Sequence, residues 1–125
     1  MDETKRVVGR AQEVMPGCDW IIDIYDLSVI WASERLLKIS GFTNKELIGK
    51  SGIKLIRSAK SQMDLKREMV DRLSVGAGKQ TYTLIFKNKD IVVTYAYKLF
   101  VFEGGRYTVA KMLVADGMRI AEDNG

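Results

Sequence analysis

The 125-residue chain has no histidine and a single cysteine and proline. Without histidine it lacks the commonest general base and the commonest ligand for zinc and haem. A Ser-His-Asp or Cys-His catalytic group is therefore impossible. With Cys18 as the lone thiol, neither an internal disulfide nor a zinc-type ligand set of the usual kind can be assembled. Carboxylates are present, but none is paired at a spacing that argues for catalysis, so an enzyme is not expected. No apolar run approaches the ~20 residues of a membrane span. The start, MDETKRVVGRAQEV, is acidic then basic and lacks the continuous apolar core of a secretion signal. A cytoplasmic location is the expectation.

What is present suits one compact domain. Apolar residues make up 46% and charged residues 29% of the chain, a globular balance. Twenty basic and 16 acidic residues give a net charge of +4. The basic residues are scattered, and a nucleic-acid binder concentrates them on one face beside stacking aromatics. Neither nucleic acid nor a membrane is an expected partner.

Apolar periodicity divides the chain into three parts. Residues 1–17 carry Val7, Val8, Ala11, Val14 and Met15 at helical spacing, stopped by Pro16-Gly17, and predict an amphipathic flanking helix weakened by Gly9. Residues 18–116 hold two short strands, WIIDIY and SVIWA, then helices ERLLKIS (capped by Ser33) and TNKELIG. A longer helical pattern ends at Gly76, with Met63, Leu65, Met69, Val70 and Leu73 as its apolar stripe. Three β-rich runs follow, KQTYTLIFK, DIVVTYAYKLFVF and RYTVAKMLVA, joined by the turn signals NKD and EGG. Residues 117–125 turn polar and form a tail or the start of a linker helix. Two strands, helices, then three strands imply an α+β class: a five-stranded antiparallel sheet with short helices over one face.

The span from Asp19 to Asp116 resembles a PAS domain. The resemblance is carried by VIWASERLLKISGFTNKELIGKS, the long helix, the three terminal strands and the closing VAD. Within that family the chain is most similar to the light-oxygen-voltage (LOV) flavin photoreceptors, through VIWAS, ISGF and KELIGK. The resemblance implies a thiol where Gly52 stands, with a neighbouring asparagine and glutamine at Ser51 and Ile56. It implies a phosphate-binding arginine at Ile53 and flavin-reading amides at Phe86, Tyr95 and Val114. A flavin ring facing those apolar and aromatic groups would leave its polar edge unpaired, at roughly 1–3 kcal/mol per group. Flavin is not expected, nor is haem, and no cofactor is assigned; an unidentified small molecule is the remaining ligand class.

Counting by twos along the strands sets Tyr82, Leu84, Phe86, Val93, Tyr95, Tyr97, Leu99, Ala110, Met112 and Val114 on one sheet face. The candidate ligand site is Tyr82, Leu84, Phe86, Tyr95, Tyr97, Met112 and Val114, with Phe42 and Ile56 from the covering segment. Asp23 is a further candidate polar handle. A filled core competes with a small, partly aromatic cavity as the reading of this face. The opposite face carries Phe100, Phe102, Val109 and Leu113, too apolar to be left to water. Together with Val7, Val8, Ala11, Val14 and Met15 they form the candidate interaction face. It is used either within the chain or in a homodimer. The resemblance implies a sensory or regulatory module that transmits ligand or partner binding to an output domain or signalling partner through dimer geometry. The alternative is a ligand-free dimerisation or protein-interaction scaffold.

Overall fold

The structure, a computed structural model, describes residues 2–120. Helix α1 spans Glu3–Val14 and is capped by the Asp2 carboxylate, which accepts from the Thr4 N–H at 3.0 Å. Strands β1 (Trp20–Asp23) and β2 (Val29–Ala32) form an antiparallel pair. Helix α2 (Glu34–Ser40) starts where the Ser33 hydroxyl accepts from the Leu36 N–H and stops at Gly41, in the left-handed region at φ 78°. Helix α3 (Asn44–Leu47) opens on a reciprocal capping box between Thr43 and Glu46. A 3-10 turn at Gly52–Leu55 leads into β3 (Ile56–Arg57). Helix α4 (Gln62–Leu73) is capped by Ser61 and buries Leu65, Met69 and Leu73. Met63 and Val70, expected in that stripe, are exposed instead.

The long strands β4 (Ala77–Ile85), β5 (Asp90–Phe102) and β6 (Gly105–Ala115) form the meander expected from their alternation. Glu103 and Gly104 both have positive φ, which suits the tight turn joining β5 to β6. The sheet order is β2-β1-β6-β5-β4-β3, antiparallel throughout. Five principal strands match the expected α+β architecture, and two pairs of residues add short strands: β3, and β7 at Met118–Arg119, which folds back on β6. Of the segment 117–125, residues 121–125 lie outside the described residues.

One irregularity corrects the alternation. The β5–β6 register passes from Tyr95↔Met112 to Thr94↔Val114, so Leu113 is an extra residue in β6. The bulge turns Val114 away from the face shared by Tyr95 and Met112, and Ala115 packs there in its place. Val114 is therefore removed from the candidate ligand face. Leu113, the extra residue of the bulge, is half-buried and packs in neither apolar cluster of the chain.

The two sheet faces carry separate cores. On the inner face Trp20, Val93, Tyr95, Tyr97, Ala110 and Met112 meet α2, α3, the 3-10 turn and α4. On the outer face Val7, Ala11 and Met15 of the N-terminal segment pack with Cys18, Ile21, Phe100, Tyr107 and Val109. Val8, Val14 and Phe102 are partly buried against the same cluster. The residues expected to seek a partner thus mostly cover one another within a single chain, through an inward helical stripe laid on an apolar sheet.

Candidate functional site

An apolar cavity of about 70 Å³ lies between the inner sheet face and the covering helices. Trp20 and Ile22 supply its β1 wall, Leu84, Phe86 and Tyr95 its β4–β5 floor. Leu36, Leu47, Met69 and Leu73 close it from the helices, and Gly52, Ile53, Leu55 and Ile56 from the 3-10 turn and β3. No lining residue is charged, so a buried ion would have no counter-charge there.

Of the residues expected to bind a ligand, Leu84, Phe86, Tyr95 and Ile56 line this cavity. Tyr82, Tyr97, Met112 and Phe42 belong to the same core but lie off the cavity. Tyr82 and Tyr97 are tied to α4 instead: the Arg72 guanidinium donates to the Tyr82 hydroxyl at 2.9 Å, and the Tyr97 hydroxyl donates to the Arg72 carbonyl at 2.8 Å. Asp23 ends β1 and accepts from the Tyr25 N–H at 2.8 Å, so its carboxylate organises a turn. Trp20, Leu36 and Leu47 were not singled out from the sequence. The alternation of Trp20 with Ile22 along WIID is the signal that finds the first of them.

The polar features of the inner core centre on Tyr95. Its ring meets Trp20 edge-on at 4.8 Å and stacks with Tyr82 at 6.5 Å. Its hydroxyl donates to Oε1 of Gln80, its cross-strand neighbour, at 2.8 Å. Burial pushes the Tyr95 phenol well above its ordinary range, so the group remains a donor. Gln80 is itself buried, and its Nε2 has no hydrogen-bond partner among the described residues.

At the edge of the inner core Asp19, also buried, holds three elements together. Its carboxylate accepts from the Ser33 hydroxyl at 2.7 Å, from the Met112 N–H at 2.7 Å and from Arg35, whose Nε lies at 3.0 Å. Arg35 also donates to the Met112 carbonyl at 3.1 Å. The start of β1, the start of α2 and the middle of β6 are thereby fixed to one another beside Leu36, a cavity residue.

Gly52, where the sequence resemblance implies a LOV thiol, lines the cavity. A Cβ there would stand 3.2 Å from Ile22 Cδ1 and 3.3 Å from the Leu27 carbonyl oxygen. The space is suited to a molecule of a few heavy atoms, and a tricyclic ring is far larger. Among the described residues no group of three or more His, Cys, Asp or Glu side chains is placed to hold a metal ion, and no helix is long and apolar enough to cross a membrane.

No family model matches the sequence, and no curated protein matches it as a relative. Solved structures do match. The PAS domain of an HTR-like protein from Haloarcula marismortui superposes with a TM-score of 0.63 at 17% identity, over 86% of this chain and 93% of that one. A PAS domain from Desulfitobacterium hafniense gives 0.67 at 15% identity, over 80% and 93%. The chain has the PAS fold. The PAS domain of the RpfR quorum-sensing receptor of Cronobacter turicensis, in complex with C12:0, also matches, with a TM-score of 0.58 at 13% identity over 78% of this chain and 93% of that one. Identities this low establish the shared architecture, and the chemistry of the site rests on the residues of this chain.

Proposed function

We propose that the chain is a sensory or regulatory module, not an enzyme, in which a small apolar molecule occupies the inner cavity and changes how the outer face is held. The observation that carries this reading is the apolar-lined cavity between Tyr95 and Leu36 in a PAS fold. The binding of C12:0 by the similarly folded RpfR domain supports an apolar ligand class.

A route from the cavity to the outer face exists in the packing. Leu36 lines the cavity, and the neighbouring Arg35 grips Asp19. Asp19 follows Cys18, which packs among the α1 residues Val7 and Ala11. Strand β1 adds a second link, with Trp20 and Ile22 inside and Ile21 outside. A ligand that packs better against one position of α2 than another shifts α1 through these contacts. In a cytoplasmic homodimer joined through the outer face and its flanking helix, that shift alters the geometry presented to an output domain or signalling partner.

The small size of the cavity favours a second reading, a ligand-free scaffold for dimerisation or docking. Native mass spectrometry of freshly purified protein separates the two. Added mass that is lost on denaturation supports the sensor. A dimer that carries none, and takes up no apolar probe at millimolar concentration, supports the scaffold.

A further inference from the structure

The backbone of β4 is only partly used by its own sheet. The Leu99 N–H donates to the Gly76 carbonyl at 2.6 Å, and the β4–β5 register carries that pairing forward by twos. Gly78, Gln80, Tyr82 and Leu84 therefore turn their backbone groups to β5, while Ala77, Lys79, Thr81 and Thr83 turn theirs away from it. Thr83 meets Arg57, where β3 ends. Among the described residues the outward N–H and C=O groups of Ala77, Lys79 and Thr81 meet no strand or turn, and these residues are exposed. At the opposite edge of the sheet, by contrast, Val29 of β2 bonds through its N–H to Lys50 and through its carbonyl to Gly49. Such a row of open groups is a template for another strand unless something guards it.

Lys79 decides what can be added there. Gln80 turns inward to Tyr95, so Ala77, Lys79 and Thr81 present their side chains on the outer face, where the Thr81 and Thr94 hydroxyls lie 2.7 Å apart. Lys98 stands on that face opposite Ala77. No acidic side chain lies on residues 77–81 or on the facing residues 94–98, and neither Lys79 nor Lys98 forms an ion pair among the described residues. A second copy adding its own β4, in the antiparallel register that uses all of these open groups, would set Lys79 directly against Lys79. Like charges directly opposite are destabilising, and a carboxylate at the same point is stabilising. We propose that the open edge of β4 receives an extended, acidic segment of a partner protein as an added antiparallel strand. It continues the line of β3, with a glutamate or aspartate facing Lys79. Main-chain bonds to Ala77, Lys79 and Thr81 supply the affinity, and Lys79 supplies the choice of charge. This surface is independent of the inner cavity and serves a sensor or a scaffold alike.

The probe is the end-capped peptide Thr-Val-Glu-Val-Thr, titrated into the full chain and followed by NMR through the backbone amides of Ala77, Lys79 and Thr81. It is expected to shift those amides and slow their hydrogen exchange. It is also expected to bind roughly tenfold more tightly than Thr-Val-Lys-Val-Thr. Lys79→Glu, an exposed substitution, is expected to reverse that preference. N-methylation of the central glutamate removes the N–H that pairs with β4 and keeps the charge, so it is expected to abolish binding. Equal affinity for the two peptides, a preference that Lys79→Glu leaves unchanged, or undiminished binding of the N-methylated peptide would overturn the proposal. So would the absence of any shift in these amides at millimolar peptide. Protection of the same amides that grows with protein concentration alone would assign the edge to a second copy of the chain. Tighter binding of a single-stranded oligothymidylate at these amides would assign it to nucleic acid, and either result overturns the acidic strand.

Discussion

Asp19 and Arg35, sixteen residues apart in the chain, form a carboxylate–guanidinium clasp in which the carboxylate is 1% and the guanidinium side chain 17% exposed. The Ser33 hydroxyl and the Met112 N–H complete the acceptor sites of the carboxylate. Truncating the carboxylate strands the Ser33 hydroxyl and the Met112 N–H and takes an opposite charge from Arg35, and breaking so buried a pair costs about 3–5 kcal/mol. Asp19→Ala is therefore expected to lower the unfolding free energy by about that amount, read from the denaturant midpoint. A change under about 1 kcal/mol would show that water takes over the carboxylate's contacts and that the clasp does not fix α2 to the sheet.

What the sequence made legible was local. Ser33 stands as the cap of α2 as expected, and the Glu103-Gly104 turn between β5 and β6 falls where EGG signalled it. Leu84, Phe86 and Tyr95, set on one sheet face by period-two alternation, all line the cavity. The clasp was not legible, because an aspartate before a strand and an arginine in a helix have no shared periodicity. The β6 bulge was not legible either. Counting by twos assumes an uninterrupted ladder, and one extra residue at Leu113 reversed the assignment of Val114. The division of the apolar residues between two cores is likewise tertiary: Met63 fits the helical stripe of α4 by spacing, yet the covered face of α4 does not extend to it.

Tyr95 is 5% exposed and sits between Trp20, Tyr82 and Gln80. Removing its ring deletes packing and leaves Gln80 without the hydroxyl that engages Oε1. Tyr95→Ala is expected to cost about 3–5 kcal/mol, by analogy with other large-to-small aromatic substitutions. It should also enlarge the cavity enough to admit aromatic probes such as indole, followed by NMR. A variant of unchanged stability that takes up no larger probe would contradict the placement of Tyr95 on the inner face.

At Gly52 the constraint is steric. A Cβ would approach Ile22 Cδ1 at 3.2 Å and the backbone oxygen of Leu27 at 3.3 Å, and only the side chain has freedom to yield. Gly52→Ala is expected to destabilise by about 1–2 kcal/mol, within the range of overpacked cores, and to weaken binding of small apolar probes. Gly52→Cys restores the thiol of a LOV domain in name only. After incubation with flavin mononucleotide it should show no light-driven bleaching, and a reversible bleach would overturn the size argument.

Cys18 supplies a pH dependence. Burial, reinforced by the neighbouring Asp19 carboxylate, pushes the thiol up to about 11 from its ordinary value near 9. A raised value means that the folded state holds the proton longer than the unfolded chain does. This contribution to stability is complete below the ordinary thiol value and is lost as the pH rises through about 11. Wild type should therefore lose stability relative to Cys18→Ala as the pH rises from about 9 to 11, measured by urea unfolding at each pH. Alkylation of Cys18 by iodoacetamide should accelerate mainly above pH 10. Rapid reaction near pH 8 would indicate that α1 leaves the sheet often enough to expose the thiol.

Helix α1 is the element whose seating the proposed signal changes. Val7 is 2% and Ala11 0% exposed, both against an apolar sheet face, while Gly9 makes the helix a weak one in isolation. Twelve residues are marginal for a free helix in water, so α1 depends on this packing for its structure. Val7→Asp places an unpaired carboxylate in that contact and should release the helix while leaving the inner core intact. The freed face would expose Ile21, Phe100 and Val109, an apolar surface that is unfavourable in water. Analytical ultracentrifugation should then show increased self-association, with loss of hydrogen-exchange protection in α1 but not in β4 or β5. If the variant instead unfolds as a whole, the two cores form one cooperative unit. α1 would then be a fixed part of the fold, unable to act as the moving element of a switch.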